Sequence, residues 1–171
     1  MRLPVAAPPA PGPAAEPPKG ENANPFTPPV PGGAAQTVSQ VLGEIVWLMS
    51  QSAIHKQMFI ADLEWLVMTP ILGRQFRLYY DSQKPIGVVF WAEVSAEVAA
   101  RLAGGVRRLS PADWGSGRMV PEAERQLWVV EAIAPFGGAE VMVRELKEKV
   151  FPDRALHYTR VAPDGATVEV L

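Results

Sequence analysis

The 171-residue chain reads as an α/β domain, a mixed and largely antiparallel sheet flanked by helices, behind a disordered proline-rich N-terminal tail. Three observations predict this. Residues 127–133 are almost wholly apolar and β-rich, and they pass through Pro135, Gly137 and Gly138 into a stretch with helical period. Two pairs of short β-rich runs, 76–80 with 86–94 and 155–161 with 166–171, are each joined by a few turn residues, as in hairpins. Of the 18 prolines, 11 fall within residues 1–36, a composition with little to bury and no preference for helix or sheet. The expected division is therefore a tail over 1–36 and a folded domain over 37–171.

Order begins at Thr37. Thr37-x-x-Gln40 fits a reciprocal capping box, and Val38, Val41, Leu42, Ile45, Leu48 and Met49 follow at helical spacing, with Trp47 at the flank of the stripe. That helix should end near Gln51 or Ser52, leaving Ser52-Ala53-Ile54-His55 as a short connection. A second helix is expected over 60–72, with Pro70 kinking it or ending its regular part and Gly73 terminating it. The first hairpin follows, then a helix over 97–102 capped by Ser95 and stopped by Gly104 and Gly105. Residues 107–124 are polar and turn-rich, with a helical turn at Ser110-Pro111-Ala112-Asp113-Trp114 and then Gly115-Ser116-Gly117. The strand over 127–133 and a helix from Ala139 come next; Val141, Met142, Val143, Leu146 and Val150 are its expected apolar face. The second hairpin turns at Ala162-Pro163-Asp164-Gly165.

Composition narrows the function. A net charge of −2 argues against a general nucleic-acid binder. With no cysteine there is no disulfide, thiolate nucleophile or Cys-ligated metal, and two histidines make a His-rich metal site a poor fit, so no metal is expected. No apolar run is long enough to span a bilayer and no secretory signal is visible, which leaves the cytoplasm as the default compartment.

Two places hold candidate chemistry. Glu131 is a carboxylate inside an apolar strand, a few residues before a glycine turn and a helix start whose free N–H groups favour anions. It is either a site residue or the solvent-facing side chain of an edge strand, and the residues alone leave both readings open. His55 follows a helix end, where a loop histidine has room to reach a ligand or is a partly exposed structural residue. His157, alternating with Tyr158 in a strand, reads as structural. Gly115-Ser116-Gly117 is neither a hydrolase elbow nor a phosphate loop, because spacing and flanking residues are wrong for both.

The order of elements, with a strand, glycine turn and helix in the second half, is the layout of GNAT acyltransferases, without a complete signature for coenzyme A. Several stretches then resemble one family in the same order: Leu42-Gly43-Glu44-Ile45-Val46-Trp47-Leu48, Ser52-x-x-His55, Trp91-Ala92, Asp113-Trp114-x-Ser116-Gly117, Ile133-Ala134-Pro135-Phe136-Gly137, Phe151-Pro152-Asp153 and Arg160-Val161. Over about residues 38–163 the chain resembles the toxin-activating lysine acyltransferases of RTX cytolysins. The resemblance implies a GNAT-like fold and transfer of a fatty acyl chain from acyl-acyl carrier protein to internal lysines of an RTX protoxin, with no bound cofactor. It implies a catalytic histidine at His55 and a catalytic carboxylate at Glu131, where the family has aspartate. It further implies an acyl carrier protein and an RTX protoxin as partners, and a homodimer.

The chemistry is consistent with this. A lysine amine must be freed of its proton, a task for a base near neutrality, and a carboxylate can orient the imidazole. Backbone N–H groups near Phe136, Gly137 and Gly138 are candidate oxyanion donors. Arg144, with Arg101, Arg107, Arg108, Lys147 and Lys149, is a candidate contact for an acidic carrier protein. The other class of function the residues allow is a non-catalytic relative that binds an acyl carrier or an RTX-like partner. A coenzyme A-dependent small-molecule acetyltransferase is disfavoured by the missing pyrophosphate signature.

Overall fold

A computed structural model describes residues 36–162 and 165–171. The expected tail, apart from Gln36, and Pro163-Asp164 of the last turn lie outside the described residues. Gln36 belongs with the domain: its side-chain amide donates to Tyr80 Oη at 2.9 Å and to Glu44.

The capping box at Thr37 and Gln40 opens α1, Val38–Gln51, whose Val41, Ile45, Leu48 and Met49 are buried. The second helix is less regular than its sequence suggests. A π-helical turn over Glu64–Met68 runs into α2, Thr69–Gly73, and Thr69 Oγ1 donates to Glu64 O at 2.8 Å. Pro70 has no N–H to donate and sits in the first turn of α2, so the wider turn ahead of it absorbs the missing bond.

Five strands form one sheet in the order β1-β2-β3-β4-β5: β1 Phe76–Asp81, β2 Lys84–Val94, β3 Gln126–Ile133, β4 Leu156–Ala162 and β5 Gly165–Val170. All neighbours are antiparallel except β3 and β4. Helices lie on both faces. On one, α1, α2, α3 (Ala96–Ala103) and α4 (Pro111–Trp114) pack against Phe76, Leu78, Val88, Phe90, Ala92, Val94, Trp128, Val130 and Ile133. On the other, Met142, Val143 and Leu146 of α5, Ala139–Lys149, cover Tyr79, Val89, Trp91, Leu127 and Val129. Val141, expected on this apolar face, is 67% exposed. One residue of helix is a 100° step, which carries it past the edge of the stripe that Met142, Val143 and Leu146 define.

Several residues of the polar stretch between α3 and β3 tie it to the domain. Asp113 caps Ser110 reciprocally and pairs with Arg101 at 2.8 Å. Burial by itself would push the Asp113 carboxyl up, but the hydrogen bonds from Arg101 and Ser110 outweigh it and hold the group below its ordinary value. Trp114 is buried with its indole N–H on Trp65 O, and Ser116 Oγ accepts the Ser95 N–H at 3.1 Å. Gly117 lies so close to β2 that an added Cβ would stand 2.5 Å from Glu93 O.

Candidate functional site

His55 sits where α1 runs out. Ser52 leaves the helix in extended backbone while its N–H still donates to Met49 O. Lys56 N–H then donates to Ser52 O at 3.1 Å and Met58 N–H to His55 O at 3.0 Å, so His55–Gln57 forms one 3₁₀ turn. The expected free connection is thus a hydrogen-bonded turn. It presses the imidazole inward: His55 is 8% exposed and is the one buried polar side chain among the described residues. Ser52 Oγ lies 2.8 Å from His55 Nδ1 and accepts the His55 N–H at 3.4 Å. A hydroxyl can donate to a bare Nδ1 or accept from Nδ1–H, so Ser52 serves the ring in either protonation state.

Glu131 reaches the same spot from the sheet. Phe90 pairs with Glu131 but Trp91 pairs with Val129, so Val130 is an extra residue in β3, a β-bulge. Trp128 and Val130 face the α1 side before the bulge, and Ile133 faces it after. Simple alternation predicts Val129 and Ile133 on the Glu131 face. Ile133 is there, but Val129 is on the opposite face with α5. The inserted residue changes the parity and aims the Glu131 side chain toward His55. Glu131 Oε2 is 4.0 Å from His55 Nε2, and Oε1 accepts the Ala132 N–H at 3.0 Å. The His–Glu separation is an ion-pair distance, too long for a direct hydrogen bond. Glu131 faces inward from a central strand, so the edge-strand reading is set aside.

Beside this pair the sheet opens. The parallel strands β3 and β4 are matched only at Leu127 with Leu156 and Trp128 with His157. Beyond that they splay, leaving a cavity of about 260 Å³ walled by Val129, Glu131 and Ala132 of β3, Tyr158, Thr159 and Arg160 of β4, Ala139, Glu140 and Val143 of α5, and Arg107. Glu131 therefore belongs both to this cleft and to the His55 contact. The start of α5 closes one side. Gly138 caps it at φ 85°, a left-handed conformation suited to glycine, with no side chain on the first helical N–H groups.

The other expected residues divide. Gly137 and Gly138 lie in the turn leading to the cleft, whereas Phe136 packs against Trp47 with ring centroids 6.0 Å apart, under the ammonium of Lys84. Arg144 is exposed on α5 and does not line the cleft. Arg101 is engaged by Asp113, Lys149 by Glu145 at 2.9 Å, and Lys147 by the carbonyls of Phe151 and Pro152 at the end of α5. His157 is structural, stacked on Trp128 with Nδ1 3.2 Å from Leu127 O. Tyr158 and Arg160 were not expected at the site. The Tyr158 hydroxyl donates to Glu169, and that bond with partial burial pushes it up to about 12. Among the described residues no three His, Asp or Glu side chains converge as metal ligands, and no helix is long and apolar enough to cross a membrane.

The RTX toxin acyltransferase family model matches residues 34–171. The chain is 34% identical over 117 residues to the lysine-acyltransferase RtxC of Vibrio cholerae serotype O1, covering 67% of this chain and 71% of that protein. It is 28% identical over 128 residues to the leukotoxin-activating lysine-acyltransferase LktC serotype A1 of Mannheimia haemolytica, covering 75% and 72%. It is 30% identical over 126 residues to the RTX-I toxin-activating lysine-acyltransferase ApxIC of Actinobacillus pleuropneumoniae, covering 74% and 69%. With the match running from just before α1 to the last residue, the chain belongs to the RTX toxin acyltransferase family.

Proposed function

We propose that this chain is a protein-lysine acyltransferase that moves a fatty acyl group from acyl-acyl carrier protein to internal lysines of an RTX protoxin. The family membership and the names of the relatives support the acyl transfer and the toxin as acceptor. The observation that carries the chemistry is the 4.0 Å gap between His55 Nε2 and Glu131 Oε2, with Glu131 itself lining the cleft. A nitrogen placed about 2.8 Å from both atoms sees them at an angle of about 90°, close to what two N–H bonds of one amine can serve. The gap is therefore a seat for the ε-nitrogen of a lysine.

In this reading Ser52 accepts Nδ1–H and leaves Nε2 bare to act as base. The entering ammonium loses a proton to Nε2, and Glu131 attracts the imidazolium that forms. The free amine attacks the thioester carbonyl, forming the C–N bond. As the tetrahedral adduct collapses, the C–S bond breaks and the departing sulfur takes a proton. Overall an ammonium and a thioester become an amide, a thiol and one released proton. The first N–H groups of α5, next to Gly138, are suited to the developing oxyanion because no side chain caps them. The splayed parallel pair beside a glycine-started helix is the reason we read the fold as GNAT-like, with the thioester arm lying in the cleft. A cytoplasmic donor such as acyl carrier protein puts the reaction in that compartment.

The test is incubation of the purified chain with palmitoyl-acyl carrier protein and an RTX protoxin, followed by intact mass. The proposal expects an added acyl mass on the protoxin and loss of the thioester. A chain that binds the acylated carrier but leaves its thioester intact contradicts the proposal and behaves as a binder.

A further inference from the structure

Four charged side chains line the cleft between β3 and β4, and three of them face an ionisable partner. Arg160 pairs with Glu140 at 2.9 Å, and Glu131 faces His55 at 4.0 Å. The fourth, Arg107, is half-buried and has no carboxylate within 4.0 Å among the described residues. The two arginines also lie on opposite sides of the sheet. Thr159 Oγ1 donates to Leu102 O at 3.4 Å, so this side of β4 faces α3 and the loop carrying Arg107. Tyr158 packs with the α5 layer, and Arg160 meets Glu140 at the start of α5. The cleft thus passes between the strands, with a mouth on the α5 side where Arg160 is shared by Glu140 and Glu169, and a mouth on the α3 side whose arginine has no carboxylate partner among the described residues.

The geometry points to Arg107 as a specificity-determining residue that holds the phosphate ester of a phosphopantetheine-bearing acyl donor. This rests on the donor reading above. The thioester must lie against Glu131 and His55, so the rest of the arm has to leave the cleft at one of its mouths. At the α5 mouth the free N–H groups of the helix start are taken by the thioester oxygen, and a phosphate there meets the Glu140 carboxylate, whose partner Arg160 is shared with Glu169. At the α3 mouth it meets a guanidinium that offers a planar fork of donors. Partial burial screens that charge less than an exposed arginine, which sets Arg107 apart from Arg144 and Arg108.

The experiment is calorimetric titration of the full chain with 4′-phosphopantetheine, pantetheine and inorganic phosphate, none of which needs acyl transfer to occur. The parent protein should bind 4′-phosphopantetheine about 10–100-fold more tightly than pantetheine, as expected for charge-assisted hydrogen bonds. Arg107→Ala should remove that preference while leaving pantetheine affinity unchanged, which also reports that the cleft is intact. Arg107→Lys should keep part of it. Equal binding of the two ligands by the parent protein overturns the inference, as does a preference that survives Arg107→Ala. Failure to bind either at millimolar concentration, or inorganic phosphate binding as tightly as phosphopantetheine, overturns it too. A phosphate preference lost in Arg107→Ala, in a chain that consumes no thioester, leaves this inference standing and removes the transfer reading instead.

Discussion

Replacing Glu131 by glutamine keeps the shape of the side chain and removes its charge. The carboxylate lies 4.0 Å from the His55 nitrogen that gains a proton. Two unit charges at that distance interact by about 4 kcal/mol at an effective dielectric of 20. The Glu131 side chain is 28% exposed, so part of this is screened. A remaining loss of about 2–3 kcal/mol corresponds to a rate lower by about 30–150-fold. Glutamine also presents an amide donor toward the incoming ammonium, which adds to the loss. The assay is single-turnover acyl transfer to a protoxin fragment, followed by intact mass, with circular dichroism confirming the fold. Glu131→Asp withdraws the carboxylate by about one bond length, a gap an ammonium still spans, and should retain activity within about tenfold of the parent. If Glu131→Gln transfers within twofold of the parent, the carboxylate is not the partner of His55 and the bulge has no catalytic consequence.

Three further outcomes follow from the same geometry. Ser52→Ala removes the hydroxyl on Nδ1 and should lower kcat about tenfold with little change in KM, as for loss of one hydrogen bond that positions the ring; stopped transfer kinetics separate the two parameters. Asp113→Asn should lower stability by about 1–2 kcal/mol in urea at neutral pH by weakening the Arg101 and Ser110 bonds. Because the folded Asp113 carboxyl lies below its ordinary value of 3.8, its contribution is present above that pH and is lost as pH falls through the folded value; the variant should show a shallower acid-side decline. Gly117→Ala puts a methyl group 2.5 Å from Glu93 O and should lower stability by about 1–3 kcal/mol, seen as a fall in Tm.

Much of the fold was legible because local signals agreed with one another. The Thr37–Gln40 box, the Ser95 and Ser110 caps, the 81–84 turn and the glycine break before α5 all appear as read. The site was legible only in part. His55 and Glu131 each stood out by residue type, but their meeting depends on Val130, an extra residue in β3. Two consecutive valines carry no glycine or proline mark of a bulge, and strict alternation gave the wrong neighbour for Glu131. Ser52 was visible in its motif, yet its bond to Nδ1 arises from the 3₁₀ turn, which propensity alone does not place. The cleft was not legible, because it comes from the splay of β3 from β4 and pairing across 29 residues leaves no local pattern. Tyr158 and Arg160 read as ordinary strand positions for the same reason.

The most direct test places His55 itself at the point of transfer. An RTX protoxin is co-expressed with the parent chain or with His55→Ala, and its lysine-containing peptides are sequenced by mass spectrometry. The parent should leave fatty acyl groups on lysine ε-nitrogens, stable to hydroxylamine as amides are. A folded His55→Ala variant should leave occupancy lower by about 10²–10⁴-fold in rate, read from a time course. Acylation by the variant at the parent's rate would remove the His55–Glu131 gap as the seat of the reaction.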